Sequence, residues 1–212
     1  KKYNHVDWGS DFLNVLDGIF RFYCLTFHNL NFQGLDKNAT KFKLPKSGGA
    51  LVICNHMSGI DPFFLVAACD RPIRFMIAKE EYERWYLKWM FKGAGCIPVD
   101  RTGRADIAFR QAKRALDSVE IIALFPHGRI HLDSEQPYRV KPGIKKMAEL
   151  TKTPIFVSRL SGIRSPGNLF MPIFLRSNTV LKQFPNISYE YFSEADSLVR
   201  LGELLLGHRK HL

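Results

Sequence analysis

The feature that most constrains the fold is an alternation, from residue 50 onward, of short apolar runs with stretches of helical periodicity. The runs have the length and composition of buried strands and are predicted at Ala50–Cys54, Ile73–Ala78, Glu120–Phe125 and Pro154–Ser158. A last strand, with alternating character, is predicted at Ile187–Phe192. Helical spacing is found at Phe63–Cys69, Glu80–Phe91, Ala105–Leu116 and Ile144–Leu150. This alternation predicts an α/β fold with a central mixed sheet flanked by helices.

Residues 7–28 form a further predicted helix, with a narrow polar stripe on a wide apolar surface. Two interpretations stay open, because such a helix packs on its own domain or lies in the interface of a lipid layer. Different faces of one helix can also do both. We therefore predict two units, an amphipathic, membrane-facing helical segment in residues 1–33 and a main domain in residues 34–212.

The net charge of +11 implies an anionic partner, which is nucleic acid, an anionic membrane surface or a phosphorylated small molecule. The 17 Phe residues lie mostly inside apolar stretches, and no basic helix or basic–aromatic motif typical of nucleic-acid binding is found. A membrane surface or a phosphate-bearing substrate is therefore favoured, and no nucleic acid is expected. No apolar window of about 18 residues could span a bilayer, so we expect a peripheral membrane protein at the cytoplasmic face.

The four cysteines form no C-x-x-C pair, and each has apolar neighbours. This arrangement is typical of reduced core residues in a protein that faces the cytosol, and not of a disulfide framework.

A His–Asp pair follows the first predicted strand, within Asn55-His56-Met57-Ser58-Gly59-Ile60-Asp61-Pro62. Ligand sites of α/β folds lie where such strands end, and the intervening residues can turn the chain so that Asp61 reaches a ring nitrogen of His56. A carboxylate in that place orients the ring and stabilises its protonated form, while the other nitrogen removes a proton from a hydroxyl. The alternative is structural, because Asp61 before Pro62 is also a good N-cap for a helix.

Two later turns present basic side chains. In Gly93–Arg101, glycines and a short apolar run lead to Arg101, whose fork of N–H donors suits phosphate. The alternative is a surface arginine paired with a neighbouring carboxylate. In Leu124–His131, a proline and a glycine force a turn at the sheet edge that presents two histidines and an arginine. The short His spacing typical of metal sites is missing, so no metal is expected.

Taken in this order, the motifs resemble the glycerolipid acyltransferase family, which includes the lysophosphatidic acid acyltransferases, from about Gly34 to Phe192. The family's first block, Asn-His-x-x-x-x-Asp, is matched by Asn55, His56 and Asp61. The second block is a glycine and an apolar stretch before an arginine, and it is matched by Gly95, Ile97 and Arg101. The third block is Phe-Pro-Glu-Gly-Thr-Arg-Ser, and it is matched by Phe125, Pro126 and Gly128. A later Lys-x-Gly signature and a basic position after the second strand are matched by Lys141, Gly143 and Lys79.

The resemblance implies an acyltransferase domain in residues 34–212 that needs no cofactor. In the implied reaction, His56 deprotonates an acceptor hydroxyl, and Asp61 orients the imidazole of His56. The hydroxyl oxygen then attacks an acyl thioester of coenzyme A or acyl carrier protein, and no acyl-enzyme forms. Arg101 inherits the contact with the acceptor's phosphate. The implied substrate-binding residues are Asn55, Lys79, Arg101, Phe125, Pro126, His127, Gly128, Arg129 and Lys141.

The third block departs from the family pattern. The family's Glu, Thr, Arg and Ser are replaced here by His127, Arg129, Ile130 and His131. We expect the catalytic pair to be unaffected and Arg129 to supply the positive charge that the block has lost. The acceptor stays open among lysophosphatidate, a lyso-aminolipid, a glycosylated lipid and another hydroxyl compound. The main alternative is a catalytically weak, acyltransferase-like domain that binds lipid or partner proteins.

Overall fold

The computed structural model describes residues 6–35, 41–42, 44–102, 105–209 and 211, so the first five residues of the predicted N-terminal unit lie outside it. The described chain forms a seven-stranded sheet in the order β1-β7-β6-β2-β5-β3-β4. The strands are Asn31–Gln33 (β1), Ala50–Cys54 (β2), Ile73–Ala78 (β3), Ile97–Val99 (β4), Ile121–Leu124 (β5), Ile155–Ser161 (β6) and Val180–Gln183 (β7). Neighbouring strands are parallel except for β6 and β7. The predicted α/β fold with a mixed sheet is confirmed.

Helices cover both faces of the sheet. They are Asp11–Thr26 (α1), Asp61–Ala68 (α2), Lys79–Tyr82 (α3), Trp85–Gly93 (α4), Ala105–Asp117 (α5), Gly143–Thr151 (α6), Met171–Phe174 (α7) and Ser197–Leu206 (α8), with a 3-10 helix at Tyr189–Ser193. None of the described helices has the length and apolar character that crossing a membrane requires.

The central strand β2 shows why the core has two layers. All five of its residues are buried, and successive side chains of a strand point to opposite faces. Val52 and Cys54 pack in the layer that includes α1 and α2, whereas Leu51 and Ile53 pack in the layer formed by α5, α6 and α8. A strand apolar on both faces can lie only in the middle of such a sandwich.

Helix α1 turns two charged residues of its polar stripe inward and much of its apolar surface outward. Asp17 and Arg21 are buried and form an ion pair of 2.6 Å, and Arg21 also donates hydrogen bonds to the carbonyl oxygens of Ala67 and Cys69 at the end of α2. Five large apolar side chains on the other face are exposed: Phe12, Val15, Ile19, Phe22 and Leu25. The helix therefore packs on the main domain partly through a charged contact and leaves much of an apolar face exposed.

Two sequence predictions in this part of the fold are wrong. Ile187–Phe192 is not a strand, because only Ile187 forms a bridge, with Ile155, before the 3-10 helix begins. Tyr191 and Phe192 both pack against the same core, which neighbouring residues of a strand cannot do. The single helix predicted at Glu80–Phe91 is divided into α3 and α4, because Arg84 between them has extended backbone angles.

The structure also contains elements that the sequence prediction missed, among them β7 and α8. Strand β7 is short and has only two apolar residues, so its periodicity is weak. Helix α8 carries buried leucines at positions 198, 201 and 205, a helical spacing that could have identified it. The four cysteines are free and buried, as predicted for core residues.

Candidate active site

The candidate active site lies at the edge of the sheet where β2, β5, β3 and β4 end. These strands are parallel, and Ile53 of β2 pairs with Leu124 of β5, so the residues that follow the two strands emerge side by side. His56 comes two residues after β2, and Phe125 comes directly after β5. The fold thus brings the first and third sequence motifs together at the position where open α/β sheets bind their ligands.

His56 and Asp61 form the predicted pair. The Nδ1 atom of His56 lies 2.9 Å from Oδ2 of Asp61, whose side chain is fully buried, while the histidine side chain stays 19% exposed. Because a carboxylate accepts hydrogen bonds, Nδ1 carries the proton, and Nε2 is left with a lone pair. Nε2 forms no hydrogen bond with any described residue, so the ring can act as a base toward a group that arrives from solvent.

Asp61 is held by the turn that precedes it. Its Oδ2 atom also accepts hydrogen bonds from the backbone N–H groups of Met57 at 2.5 Å and Ser58 at 2.8 Å, and its Oδ1 atom accepts one from the Ser58 hydroxyl. The carboxylate makes no capping bond to helix α2, although Asp61 is the first residue of that helix. The structural alternative, in which Asp61 serves as an N-cap, is therefore wrong: its carboxylate faces His56 and the turn.

Phe125 forms one wall beside the catalytic pair. Its ring stacks on the imidazole of His56 with centroids 4.2 Å apart, and on its other neighbour, Phe75, at 6.2 Å. A flat apolar surface against the imidazole restricts the orientation of the ring about the bond to Asp61. Phe125 therefore acts on the histidine as well as lining the site.

The other nucleophilic side chains near His56 are not available for attack. Cys54 is fully buried, and burial raises the pKa of its thiol to about 12, so the reactive thiolate does not form at neutral pH. The Ser58 hydroxyl is buried and donates its proton to Asp61. Neither group could carry an acyl intermediate without rearrangement of the turn.

Asn55, one of the predicted substrate-binding residues, forms its side-chain hydrogen bonds within the fold. The side chain is fully buried, its amide nitrogen donates to the carbonyl oxygen of Leu160 at 2.9 Å, and its amide oxygen accepts from the backbone N–H of Leu160 at 2.7 Å. These two bonds join the end of β2 to β6. Asn55 is therefore a positioning residue that fixes the backbone from which His56 projects.

His127, which replaces the family's glutamate, is buried and uncharged. Burial is the main cause that lowers the pKa of its imidazole to about 4, and its ring stacks on His131 with centroids 4.5 Å apart. Its Nε2 atom lies 3.3 Å from the carbonyl oxygen of Tyr138, so Nε2 carries the proton, and Nδ1 is buried with no hydrogen-bond partner in the described chain. At neutral pH this position supplies a hydrogen-bond acceptor but no negative charge.

Arg129 and His131 share one carboxylate. Glu135 lies 3.3 Å from the Arg129 guanidinium and 3.4 Å from Nδ1 of His131, whose backbone N–H donates to the carbonyl oxygen of His56. Arg129 is therefore partly neutralised, which weakens the expectation that it replaces the lost positive charge. Within the described ranges, no group of three His, Cys, Asp or Glu side chains is placed to hold a metal ion.

Lys141 crosses the turn of the third block. Gly128 has a positive φ of 72°, which favours glycine, and the Lys141 side chain lies directly over it, 2.9 Å from where a Cβ atom would stand. The backbone N–H of Lys141 also donates to the carbonyl oxygen of the buried Pro126. Pro126 and Gly128 thus shape the turn, whereas the exposed Lys141 brings positive charge over it.

Lys79 and Arg101 lie at the same sheet edge but farther from His56. Lys79 directly follows β3 and Arg101 follows β4 by two residues, and both side chains are exposed. Strand β4 is three positions from β2, which is about 14 Å at the usual strand spacing. The two cations therefore lie on one side of the His56–Asp61 pair, along the same ends of the parallel strands.

Sequence reasoning missed a loop that closes the other side of the site. A Cβ atom on Gly59 would lie 2.3 Å from the carbonyl oxygen of Leu169, and the backbone N–H of Gly167 donates to the carbonyl oxygen of Met57. The loop after β6 is therefore packed directly on the turn between His56 and Asp61. Gly59 was visible in the sequence as a turn residue, but its close neighbour was not.

An apolar cavity of about 90 Å³ lies next to the catalytic pair, between α1, α2, α4 and β3. Pro62, which follows Asp61, and Phe75, which stacks on Phe125, both line it. Phe20 and Phe63 form a stacked pair in its wall, with ring centroids 4.1 Å apart. The cavity thus lies beneath the inward side of α1, and its wall includes the residue that follows Asp61.

Comparisons with known proteins give the family and the fold. The model of a protein family described as Acyltransferase matches residues 37–159, which is more than half of the chain and includes His56, Asp61 and Arg101. The crystal structure of the 1-acyl-sn-glycerophosphate (LPA) acyltransferase PlsC from Thermotoga maritima has a similar fold, with a TM-score of 0.65, 18% sequence identity, and coverage of 92% of this chain and 76% of that chain. A search of curated protein sequences found no match.

Proposed function

This chain belongs to the acyltransferase family, and we propose that it moves a fatty acyl group from a thioester to a hydroxyl of a lysophospholipid-like or other lipid acceptor. The donor is acyl coenzyme A or acyl carrier protein, and no cofactor is needed because the thioester is already activated. The single observation that carries the proposal is the 2.9 Å contact of His56 Nδ1 with the buried Asp61, which leaves Nε2 free at the ligand-binding edge of the sheet.

The reaction runs in two proton transfers through one nitrogen. His56 Nε2 removes the proton from the acceptor hydroxyl while the oxygen attacks the thioester carbonyl carbon and the new C–O bond forms. The tetrahedral intermediate then breaks its C–S bond, and the departing sulfur takes the proton back from the imidazolium. Asp61 stabilises the imidazolium in between. The inert states of Cys54 and Ser58 support direct transfer without an acyl-enzyme.

The apolar cavity supports an acyl chain as the transferred group. Its lining is apolar, and an alkyl chain gains about 0.8 kcal/mol for each methylene that leaves water. Pro62, which follows Asp61 in the chain, is part of the cavity wall, so an alkyl chain bound there would lie beside the helix that begins at Asp61.

A turnover assay with a panel of acceptors tests the function. Purified protein is given an acyl thioester together with lysophosphatidate, a lyso-aminolipid or a glycosylated lipid, and free thiol and product mass are measured. We expect thiol release that depends on one acceptor class and a product heavier by one acyl group. Vesicle binding without thiol release for any acceptor would favour the alternative of a catalytically weak lipid-binding domain.

Arg101 is proposed to hold the acceptor's phosphate. Its exposed guanidinium lies to one side of His56, and a charge-assisted hydrogen bond is worth about 1.5–3 kcal/mol. We expect Arg101→Ala to raise the acceptor KM by about 10- to 100-fold and to leave the donor KM within about twofold. Arg114→Ala, at the far end of α5, is the matched control and leaves both constants unchanged. A rise confined to the donor KM would contradict the phosphate role.

Attachment to a membrane surface is proposed for the apolar face of α1. Phe12 and Phe22 are more than half exposed on this face, and Trp89 of α4 extends it by contacting Phe12 with ring centroids 5.6 Å apart. A helix that buries Asp17 and Arg21 and exposes Phe12 and Phe22 suits the interface of a lipid layer. The inward side of the same helix lines the apolar cavity, which would place an acyl chain bound there close to the lipid layer.

A pair of isoleucines tests the attachment. Ile19 on α1 and Ile107 on α5 are both exposed, at 55% and 45%, but α5 packs on the opposite face of the sheet. We expect Ile19→Glu to weaken sedimentation with neutral phosphatidylcholine vesicles by about tenfold or more, because an apolar side chain leaves the lipid and a charge takes its place. Ile107→Glu should bind like the unchanged protein. Equal loss in both variants would contradict the proposed orientation.

A further inference from the structure

A polar surface pocket lies at the end of the sheet away from the proposed acceptor cations. It has a volume of about 410 Å³ and is lined by Gly162, Arg164, Arg176, Ser177 and Asn178. These residues belong to the chain between β6 and β7. Strand β7 is separated from β2 by β6, on the side opposite to β5, β3 and β4, so the pocket is not part of the row formed by Lys79 and Arg101.

The pocket is strongly basic. The guanidinium groups of Arg164 and Arg176 form no ion pair and no hydrogen bond with any other residue that the structure describes, and both residues are exposed. Most other arginines in the described chain do have a carboxylate partner, as Arg74, Arg110 and Arg159 do. Two unneutralised guanidinium forks around one pocket suit the oxygens of a phosphate group.

The base of the pocket is rigid. The Ser177 hydroxyl is buried and lies 2.9 Å from Nδ1 of the fully buried His28, at the end of α1. The same hydroxyl oxygen lies 3.4 Å from the backbone N–H of Arg164 and donates to the carbonyl oxygen of Leu175. These bonds hold the two arginine-bearing segments together before any ligand binds.

An apolar projection stands directly beside the pocket. Helix α7 and the residue before it expose Phe170, Met171, Ile173 and Phe174, the last at 74%. Tyr23 of α1 donates a hydrogen bond to the carbonyl oxygen of Ile173. The projection therefore continues the apolar face of α1, and the basic pocket lies at the edge of a single apolar surface.

We propose that this pocket binds the phosphate headgroup of an anionic membrane phospholipid that is not the acyl acceptor, while α7 inserts its apolar side chains beside it. The occupant is indicated by charge complementarity, because an unpaired arginine pair beside an apolar projection matches the phosphate layer next to the acyl layer of a leaflet. This proposal rests on the membrane attachment proposed for α1. It adds a second anchoring point and fixes the rotation of the domain about α1.

Vesicle binding of two charge-matched double variants tests the pocket. Arg164→Gln with Arg176→Gln removes two charges from the pocket, and Arg110→Gln with Arg114→Gln removes two from α5 on the opposite layer. Each protein is titrated with phosphatidylcholine vesicles and with vesicles that also contain phosphatidylglycerol. We expect the gain from phosphatidylglycerol to fall by about tenfold or more in the pocket variant and to change little in the α5 variant, while binding to neutral vesicles stays equal.

Other outcomes overturn the proposal in separate ways. Equal losses in the two double variants would mean that overall charge, and not this pocket, attracts the lipid. If phosphatidylglycerol strengthens binding of the pocket variant as much as binding of the unchanged protein, the pocket proposal is contradicted, but attachment through α1 is not. If the unchanged protein binds neither kind of vesicle, both proposals are contradicted. The pocket variant should also transfer acyl groups to a water-soluble acceptor at the unchanged rate. A lower rate there would assign the pocket to substrate binding instead.

Discussion

Replacing His56 by alanine is expected to lower kcat for acyl transfer by about 10²–10⁴-fold, with a fold as stable as that of the unchanged protein. The loss follows because Nε2 of this ring is the base in the proposed reaction, and its near neighbours Cys54 and Ser58 cannot replace it. The side chain is partly exposed, and its removal leaves the backbone bonds to Asp61 in place, so little stability should be lost. Release of free thiol from the thioester measures the rate, and thermal unfolding measures the fold.

His211→Ala is a suitable control, since this histidine is exposed and lies outside the helices and strands. It should turn over the thioester at the unchanged rate. Retained turnover in His56→Ala, in a protein that unfolds at the normal temperature, would remove the proposed mechanism.

Replacing Asp61 by asparagine is expected to damage both catalysis and stability, unlike the change at His56. The carboxylate is fully buried and accepts hydrogen bonds from His56, from two backbone N–H groups and from the Ser58 hydroxyl. The asparagine amide has only one accepting oxygen, so the groups that donate hydrogen bonds to the other carboxylate oxygen lose their acceptor. Each lost hydrogen bond to a charged group costs about 1.5–3 kcal/mol. We expect a free energy of unfolding lower by about 3–5 kcal/mol and a kcat lower by up to about 10⁴-fold, because the imidazole loses its tautomer and its stabilising charge.

Denaturant titration and the thiol assay give the two quantities. Asp106→Asn is the matched control, because its carboxylate forms an ion pair at 2.9 Å but is 52% exposed. Exposed pairs of this kind contribute about 1 kcal/mol or less, so the control should remain close to the unchanged protein. An Asp61→Asn protein with normal stability and normal turnover would contradict the geometry on which the enzyme assignment depends.

The two predictions separate a reacting group from the group that holds it. His56 acts through an atom that faces outward, whereas Asp61 acts through atoms that face the turn, so only the second change should affect the fold. A similar separation applies to Asn55, which the family resemblance placed among the substrate-binding residues. Its bonds to Leu160 assign it to the joint between β2 and β6, and substrate contact is not needed to explain its presence.

Local patterns were sufficient for much of the fold. The predicted ends of Ala50–Cys54 and Ile73–Ala78 agree with β2 and β3, because these buried strands are apolar runs that begin after a glycine or a proline and end before a polar residue. Such patterns failed at Ile187–Phe192, where the preference of aromatic residues for strands was overridden by packing on α6 and α8. Propensity is a weak guide wherever neighbouring side chains share one core.

The site divides in the same way. The approach of Asp61 to His56 was predictable because only four residues, one of them a glycine, separate the two and confine their side chains to a single turn. The burial of His127 against His131 was not predictable, because its surroundings come from distant parts of the chain. Tyr138 provides the carbonyl oxygen beside the His127 ring, and helix α8 packs against the backbone of Tyr138. The substitution was visible in the sequence, but the resulting uncharged state was not.

The amino-acid sequence alone determined the α/β class, most of the strands and helices and the His–Asp pair, because each depends on residues a few positions apart. Only the tertiary structure decided which way α1 faces, that Asn55 serves the scaffold, and that Arg164 and Arg176 meet in one pocket. These features depend on contacts between distant segments, such as Arg21 with the end of α2 and Ser177 with His28. Polar groups of this kind are buried only where a distant partner satisfies them, and no local pattern records where that partner lies.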